Sequence, residues 1–197
     1  AELHAALDWF RSLPMWLDLD GGRVVHACWD EASLALLSAH RPPGEPITDD
    51  LLRQAGQKGT PLFAAVETIL KGKEASLPDG ISYRDKEGHA RRQIRTQWYR
   101  PAEGQTYGSY ALPVNTVECD VPLEESVVQS ATPYPASAKP VFVGHYWLPP
   151  VAAPRPLASN VACVDYSIPK DGWLCAYRWD GEQELHPDRF VWVASAK

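Results

Sequence analysis

Apolar positions change their spacing along this chain, from helical steps near its start to short continuous runs and alternation toward its end. Leu3, Ala6, Leu7 and Phe10 fall at helical steps between Glu2 and Ser12, and Pro14 ends the run. Met15 to Leu19 and Arg23 to Cys28 flank Asp20-Gly21-Gly22, where glycine permits the turn of a hairpin, so His26 is expected on a hairpin strand. Asp30 is placed to cap a helix carrying Leu34, Leu36 and Leu37, which Arg41-Pro42-Pro43-Gly44 ends. Thr48 caps a further helix through Gln57, and Thr60-Pro61 opens another that closes at Gly72.

Beyond Leu77-Pro78-Asp79-Gly80 the pattern turns to strands. Ile81 to Arg84 and His89 to Tyr99 flank a turn at Asp85-Lys86-Glu87-Gly88. Alternation puts Arg91, Gln93, Arg95 and Gln97 on one face of the second strand, and Arg92, Ile94, Thr96 and Trp98 on the other. Arg100 to Lys139 holds many of the 18 prolines and reads as a long irregular connection with one short strand around Ser109 to Leu112. Val141-Phe142-Val143 reads as a buried strand ending in Gly144, which delivers His145 to a sheet rim on a tight turn. Val161 to Ser167, Trp173 to Trp179 and Phe190 to Ala194 are punctuated as an antiparallel meander, with Trp173, Trp179 and Trp192 packing on its apolar side.

Two histidines thus end two short apolar strands. Neutral imidazole is the commonest protein ligand for zinc-like ions, so His26 and His145 together suggest half of a metal site. The prediction is geometric: their rings converge and share one cation. His4, His40, His89 and His186 lie in polar or helical contexts and read as structural, while Asp18 and Asp20 are explained by turn chemistry.

Val24-Val25-His26-Ala27, Val143-Gly144-His145 and Asn160-Val161-Ala162-Cys163-Val164-Asp165-Tyr166 together resemble the second half of the calcineurin-like metallophosphoesterases. In that family a "vHA" and a "GH" strand end supply two histidine ligands of one ion. The resemblance implies an α+β chain forming part of a four-layer α/β/β/α sandwich with mixed sheets, residues 1–44 and 100–197 in the core and 45–99 inserted as a helical and hairpin cap. It implies hydrolysis of phosphate esters or anhydrides at two divalent ions (Mn, Fe, Zn or Ni), with a phosphorylated small molecule, nucleotide or phosphoprotein as partner. Protein phosphatase and dinucleoside polyphosphate hydrolase both remain open. Asp165 is the expected acceptor of a ligand ring N–H. Arg92, Arg95, Trp98 and Tyr146 are candidates for substrate binding, and Tyr146 and Trp147 for the mouth of the site.

The family's first-half motifs, D-x-H, G-D-x-x-D-R-G and G-N-H-E/D, do not occur, and the chain begins at Ala1 with Met15 its only methionine. The expectation is a C-terminal portion of a longer enzyme, holding one ion weakly or none and inactive without its N-terminal half. No catalytic residue is assigned. The alternative is a non-catalytic binding or interaction module derived from that fold. An incomplete sandwich leaves a strand edge, for which dimerisation is a remedy to test.

The net charge of −6, with no long basic block, argues against nucleic-acid binding, and no apolar run approaches the length of a membrane span. Four cysteines without C-x-x-C spacing, three of them in apolar runs, fit buried reduced thiols in a cytoplasmic protein.

Overall fold

The computed structural model describes residues 2–85, 88–114, 116–150 and 152–196. Helix α1 (Glu2–Ser12) forms where its periodicity predicts, yet none of its residues is buried. Strands β1 (Trp16–Asp18) and β2 (Arg23–Val25) make the expected hairpin, with Leu17 opposite Val24. Three helices follow, each opened by its expected cap: the side chain of Asp30 accepts from the Ser33 N–H at α2 (Glu31–His40), Thr48 from Leu51 at α3 (Asp49–Ala55), and Thr60 from Phe63 at α4 (Pro61–Lys71).

The next stretch departs from the periodicity. Strands β3 (Glu74–Ser76), β4 (Tyr83–Arg84), β5 (Ala90–Arg91) and β6 (Gln93–Arg95) form two separate ribbons, β5 pairing with β4 and β6 with β3. The single strand expected over His89 to Tyr99 is therefore broken at Arg92. Lys86 and Glu87 of the expected turn lie outside the described residues. The short strand expected near Ser109 is instead helix α5 (Tyr107–Tyr110): Thr106 and Ser109 exchange side-chain and backbone hydrogen bonds in a capping box, which outweighs the strand preference of the aromatics. Helix α6 (Glu125–Ser130) adds a further turn of structure to the proline-rich connection.

The last third is strand-rich, as its composition predicts: β7 (Val141–Val143), β8 (Val161–Cys163), β9 (Asp165–Tyr166), β10 (Trp173–Tyr177) and β11 (Phe190–Ala194). One mixed sheet has the order β1-β2-β7-β8, with β2, β7 and β8 parallel and β1 antiparallel at its edge. A second, antiparallel sheet has the order β11-β10-β9. The segment expected as one strand from Val161 to Ser167 is shared between the two, and only Val164 separates its parts.

The fold is α+β with mixed sheets and an antiparallel sheet at its C-terminal end. Val25, Val141, Val143, Val161 and Cys163 share one core with Leu34 and Leu37 of α2 and Leu62 and Ile69 of α4. On the opposite face of the mixed sheet, the ring of Phe142 lies 5.3 Å from that of Tyr177 and 6.3 Å from that of Trp179. Trp173 stacks between Tyr166 and Trp192.

A second core gathers Ala75, Leu77 and Ile94 with Tyr107, Tyr110 and Leu123. The segment expected as a cap, residues 45–99, thus contributes to both cores. Its helices α3 and α4 belong to the first because α4 packs along α2. No helix among the described residues is long and apolar enough to cross a membrane.

Candidate functional site

His26 follows β2 and His145 follows β7, and because these strands are parallel neighbours their C-terminal ends lie side by side. The ring centroids are 5.3 Å apart, tilted by 57°. A backbone bond from the Gly144 N–H to the His26 carbonyl, 2.9 Å, ties the two strand ends together. A Cβ at Gly144 would make only ordinary contacts, 3.7 Å to the Asp165 side chain and 3.8 Å to the His26 carbonyl, and it is His145 that takes a left-handed conformation, φ +69°, as does Trp147, φ +49°. Such backbone costs roughly 1–3 kcal/mol at a non-glycine residue and persists only where its surroundings dictate it.

Tyr146, between these two residues, supplies that constraint. It is buried, its hydroxyl donates to the Ala27 carbonyl at 2.9 Å, and it accepts from the Trp98 indole N–H at 3.0 Å. Gly72 lies against the same hydroxyl with φ +85°, and a Cβ there would stand 2.5 Å from it. From the other side, the Leu148 N–H donates to the Asp165 carbonyl at 3.0 Å. Two strand-end loops are thereby joined around His145.

Burial, with the positive charge of Arg95 and the neighbouring His26 imidazole, pushes the His145 ring down to about 4, against an opposing pull from Asp165. The ring is therefore neutral at pH 7, the state a metal ligand requires. Asp165 sits beside Gly144, but its Oδ1 accepts the Ser167 backbone N–H at 3.1 Å, and no hydrogen bond joins its carboxylate to His145. Its nearness to the site is as expected; its carboxylate closes a turn.

His145 and Trp147 are among the residues that line a cleft of about 1250 Å³. Four arginines line it, Arg84, Arg91, Arg92 and Arg95, against the carboxylates of Glu74 and Asp85. Arg95 is ion-paired with Glu74, while its buried Nε has no partner. Arg91 bonds Asp85 at 2.7 Å, and Arg84 donates to the Gly88 carbonyl at 2.7 Å. Arg92 is exposed, and its guanidinium has no hydrogen-bond or ion-pair partner among the described residues. His26 opens instead on a smaller apolar depression of about 460 Å³, bounded by Leu13, Leu17, Val24 and Phe142.

Of the expected substrate contacts, Arg92 and Arg95 both line the cleft, although strict alternation puts them on opposite faces. The bend at Arg92 accounts for the difference. Tyr146 is among the residues lining the cleft, but it is buried and its hydroxyl is engaged. Trp98 does not line the cleft; it is buried in the main core, where its indole holds Tyr146. Arg84 was not singled out by its sequence context. The signal for it lay in the hairpin, whose register, Tyr83 opposite Arg91, brings two arginine-bearing strands to one wall.

No family model, curated protein or solved structure matches this chain. Among the described residues no group of three or more His, Cys, Asp or Glu side chains is placed to hold a metal ion. The two imidazoles fit a divalent ion as donors in kind, but a stable site takes three or four ligands.

Proposed function

We propose that this chain is a portion of a metal-dependent phosphoesterase of the calcineurin-like type, in which His26 and His145 hold one divalent ion. The observation that carries this reading is the 5.3 Å approach of two strand-end imidazoles, one of which, His145, lines an arginine-bearing cleft. The remaining ligands, a second ion and the other layers of a four-layer sandwich belong to an N-terminal half. When bound, a Mn, Fe, Zn or Ni ion supplies Lewis-acid polarisation and a lowered pKa for its water.

This chain's own part is to present the neutral His145 ring in a fixed direction and to bind phosphoryl oxygens through Arg92 and Arg95. Its phosphorylated substrate is a small molecule, nucleotide or phosphoprotein. The four buried free cysteines support a reducing, cytoplasmic setting.

Titration with Zn²⁺ or Ni²⁺, followed by the ring resonances of the six histidines, tests the pairing. The expected result is weak binding that shifts His26 and His145 together and is lost in either His26→Ala or His145→Ala. Shifts confined to other histidines, or an unchanged affinity in His145→Ala, would overturn it. A second reading, a non-catalytic module for an anionic partner, is favoured by the cleft itself, whose arginines need no metal to attract phosphate.

A further inference from the structure

The antiparallel sheet β11-β10-β9 ends on one side at an open strand, β11. Unpaired backbone groups on such an edge are a template for another chain, so monomers blunt their edges with charge or cover them. β1, β3, β4, β5, β6 and β9 each carry at least one charged residue, and β8 is buried throughout. β11, Phe190-Val191-Trp192-Val193-Ala194, carries no charge and is exposed from Val191 onward. Its outward side also lacks the polar residues usual on a solvated sheet: Val191 and Val193 lie opposite Ala176 and Leu174, and Leu174 and Val193 are each 62% exposed.

The register fixes which backbone groups are free. The Arg178 N–H donates to the Arg189 carbonyl and the Ser195 N–H to the Gly172 carbonyl, so the odd-numbered residues of β11 bond β10, and Phe190, Trp192 and Ala194 turn their backbone to the open edge. Phe190 spends its N–H on the Pro187 carbonyl, whereas those of Trp192 and Ala194 find no acceptor among the described residues. On the inward side a row of rings stops at the same place. Tyr166 stacks on Trp173 and Trp173 on Trp192, each at 5.9 Å, and Trp192 is 41% exposed with its far side open.

We infer that β11 pairs antiparallel with β11 of a second copy of this chain, about a twofold axis at Trp192. In that register each Trp192 N–H meets the other copy's Trp192 carbonyl, and each Ala194 N–H meets the other copy's Phe190 carbonyl, which satisfies the free donors. Val191 falls opposite Val193 and extends the outer apolar row across the axis, while the two ring stacks meet at Trp192. Asp188 and Arg189 fall opposite Ala196 and Ser195, so no like charges are opposed. The contact is one short strand wide, which places it among weak interfaces of less than about 1,200 Å². It is independent of the histidine pair and of any metal.

Sedimentation velocity of the whole chain between about 1 and 200 μM tests the pairing, with a dimer Kd on the order of 10 μM expected for a contact of this class. Val191 and Val193 are exposed, so charged residues there keep the fold. Val191→Lys with Val193→Lys opposes like charges twice across the axis and should weaken the dimer at least tenfold. Val191→Lys with Val193→Glu opposes unlike charges and should restore it to within about threefold of wild type. Amide exchange adds a local readout: the Trp192 and Ala194 N–H groups should be slowed at 200 μM relative to 1 μM. A monomer throughout the range overturns the inference. So does a dimer undisturbed by the Lys/Lys change, or a Lys/Glu variant as monomeric as Lys/Lys. A dimer in which the Trp192 and Ala194 amides exchange at the monomer's rate has formed through another face, such as the exposed side of α1, and overturns it as well.

Discussion

Tyr146→Phe removes one oxygen atom, and the structure says what that atom holds. Its hydroxyl donates to the Ala27 carbonyl and accepts from the Trp98 indole, and the residue is 4% exposed, so neither partner finds water when it is gone. A buried polar group left without a partner costs roughly 1–3 kcal/mol. Two such groups, with some relaxation, put the loss at about 2–4 kcal/mol. With a urea m-value of about 2 kcal/mol per molar, the unfolding midpoint should fall by about 1–2 M at unchanged slope.

Gly72→Ala attacks the same contact from the opposite side, since its Cβ meets the hydroxyl at 2.5 Å and its φ of +85° is unfavourable to alanine. In the double variant the collision is relieved, so the two losses should add to less than their sum by about 0.5–3 kcal/mol. Denaturant melts of the four proteins complete the cycle. A Tyr146→Phe midpoint shift below about 0.3 M, or strict additivity, would show that the hydroxyl does not brace the loop carrying His145.

Further outcomes follow from neighbouring groups. His145 binds its proton in the unfolded chain near 6.5 but in the folded chain only near 4, so its contribution to stability is complete above about pH 6.5 and is lost as the pH falls toward 4; its ring resonance should titrate far below 6.5, and an NMR midpoint at or above that value refutes the burial argument. Cys28 and Cys163 are buried and their thiols pushed up, Cys163 to about 12, so an aromatic disulfide reagent should leave them unmodified in the native chain and label them after unfolding; rapid native labelling of either speaks against the core assignment. Burial raises the Asp30 carboxyl, but Lys73 at 2.7 Å and the Ser33 N–H outweigh it and leave it lowered; Asp30→Ala should cost about 1–2 kcal/mol in a urea melt, and a neutral effect would deny its capping of α2.

Local chemistry carried much of the architecture into the sequence. Asp30, Thr48 and Thr60 each announce a helix because the cap bond is made within three residues, and Asp20-Gly21-Gly22 announces a hairpin for the same reason. That His26 and His145 each end an apolar strand was legible in the sequence, and their meeting at one site was expected from the resemblance; that the strands are adjacent is a tertiary fact which periodicity alone does not supply. Where neighbours decide, the pattern misled. Arg92 interrupts an alternating run because β5 and β6 have different partners, and Thr106 with Ser109 folds an aromatic segment into a helical turn. The arginine lining of the cleft was half visible for that reason: Arg92 and Arg95 stand out as charges in a strand, whereas Arg84 joins them through a register that two residues of hairpin pairing define.

The crossing from the mixed sheet to the antiparallel one leaves no slack. The Val164 N–H still bonds the Val143 carbonyl at 2.9 Å, and by Asp165 the chain is already paired with Leu174. Inserting a single residue at this point would reverse which side chains of the following strand look inward, displacing Tyr166 from its stack on Trp173. Length is thereby locked at a site that no glycine or proline marks, and the two sheets share a common phase set by one valine.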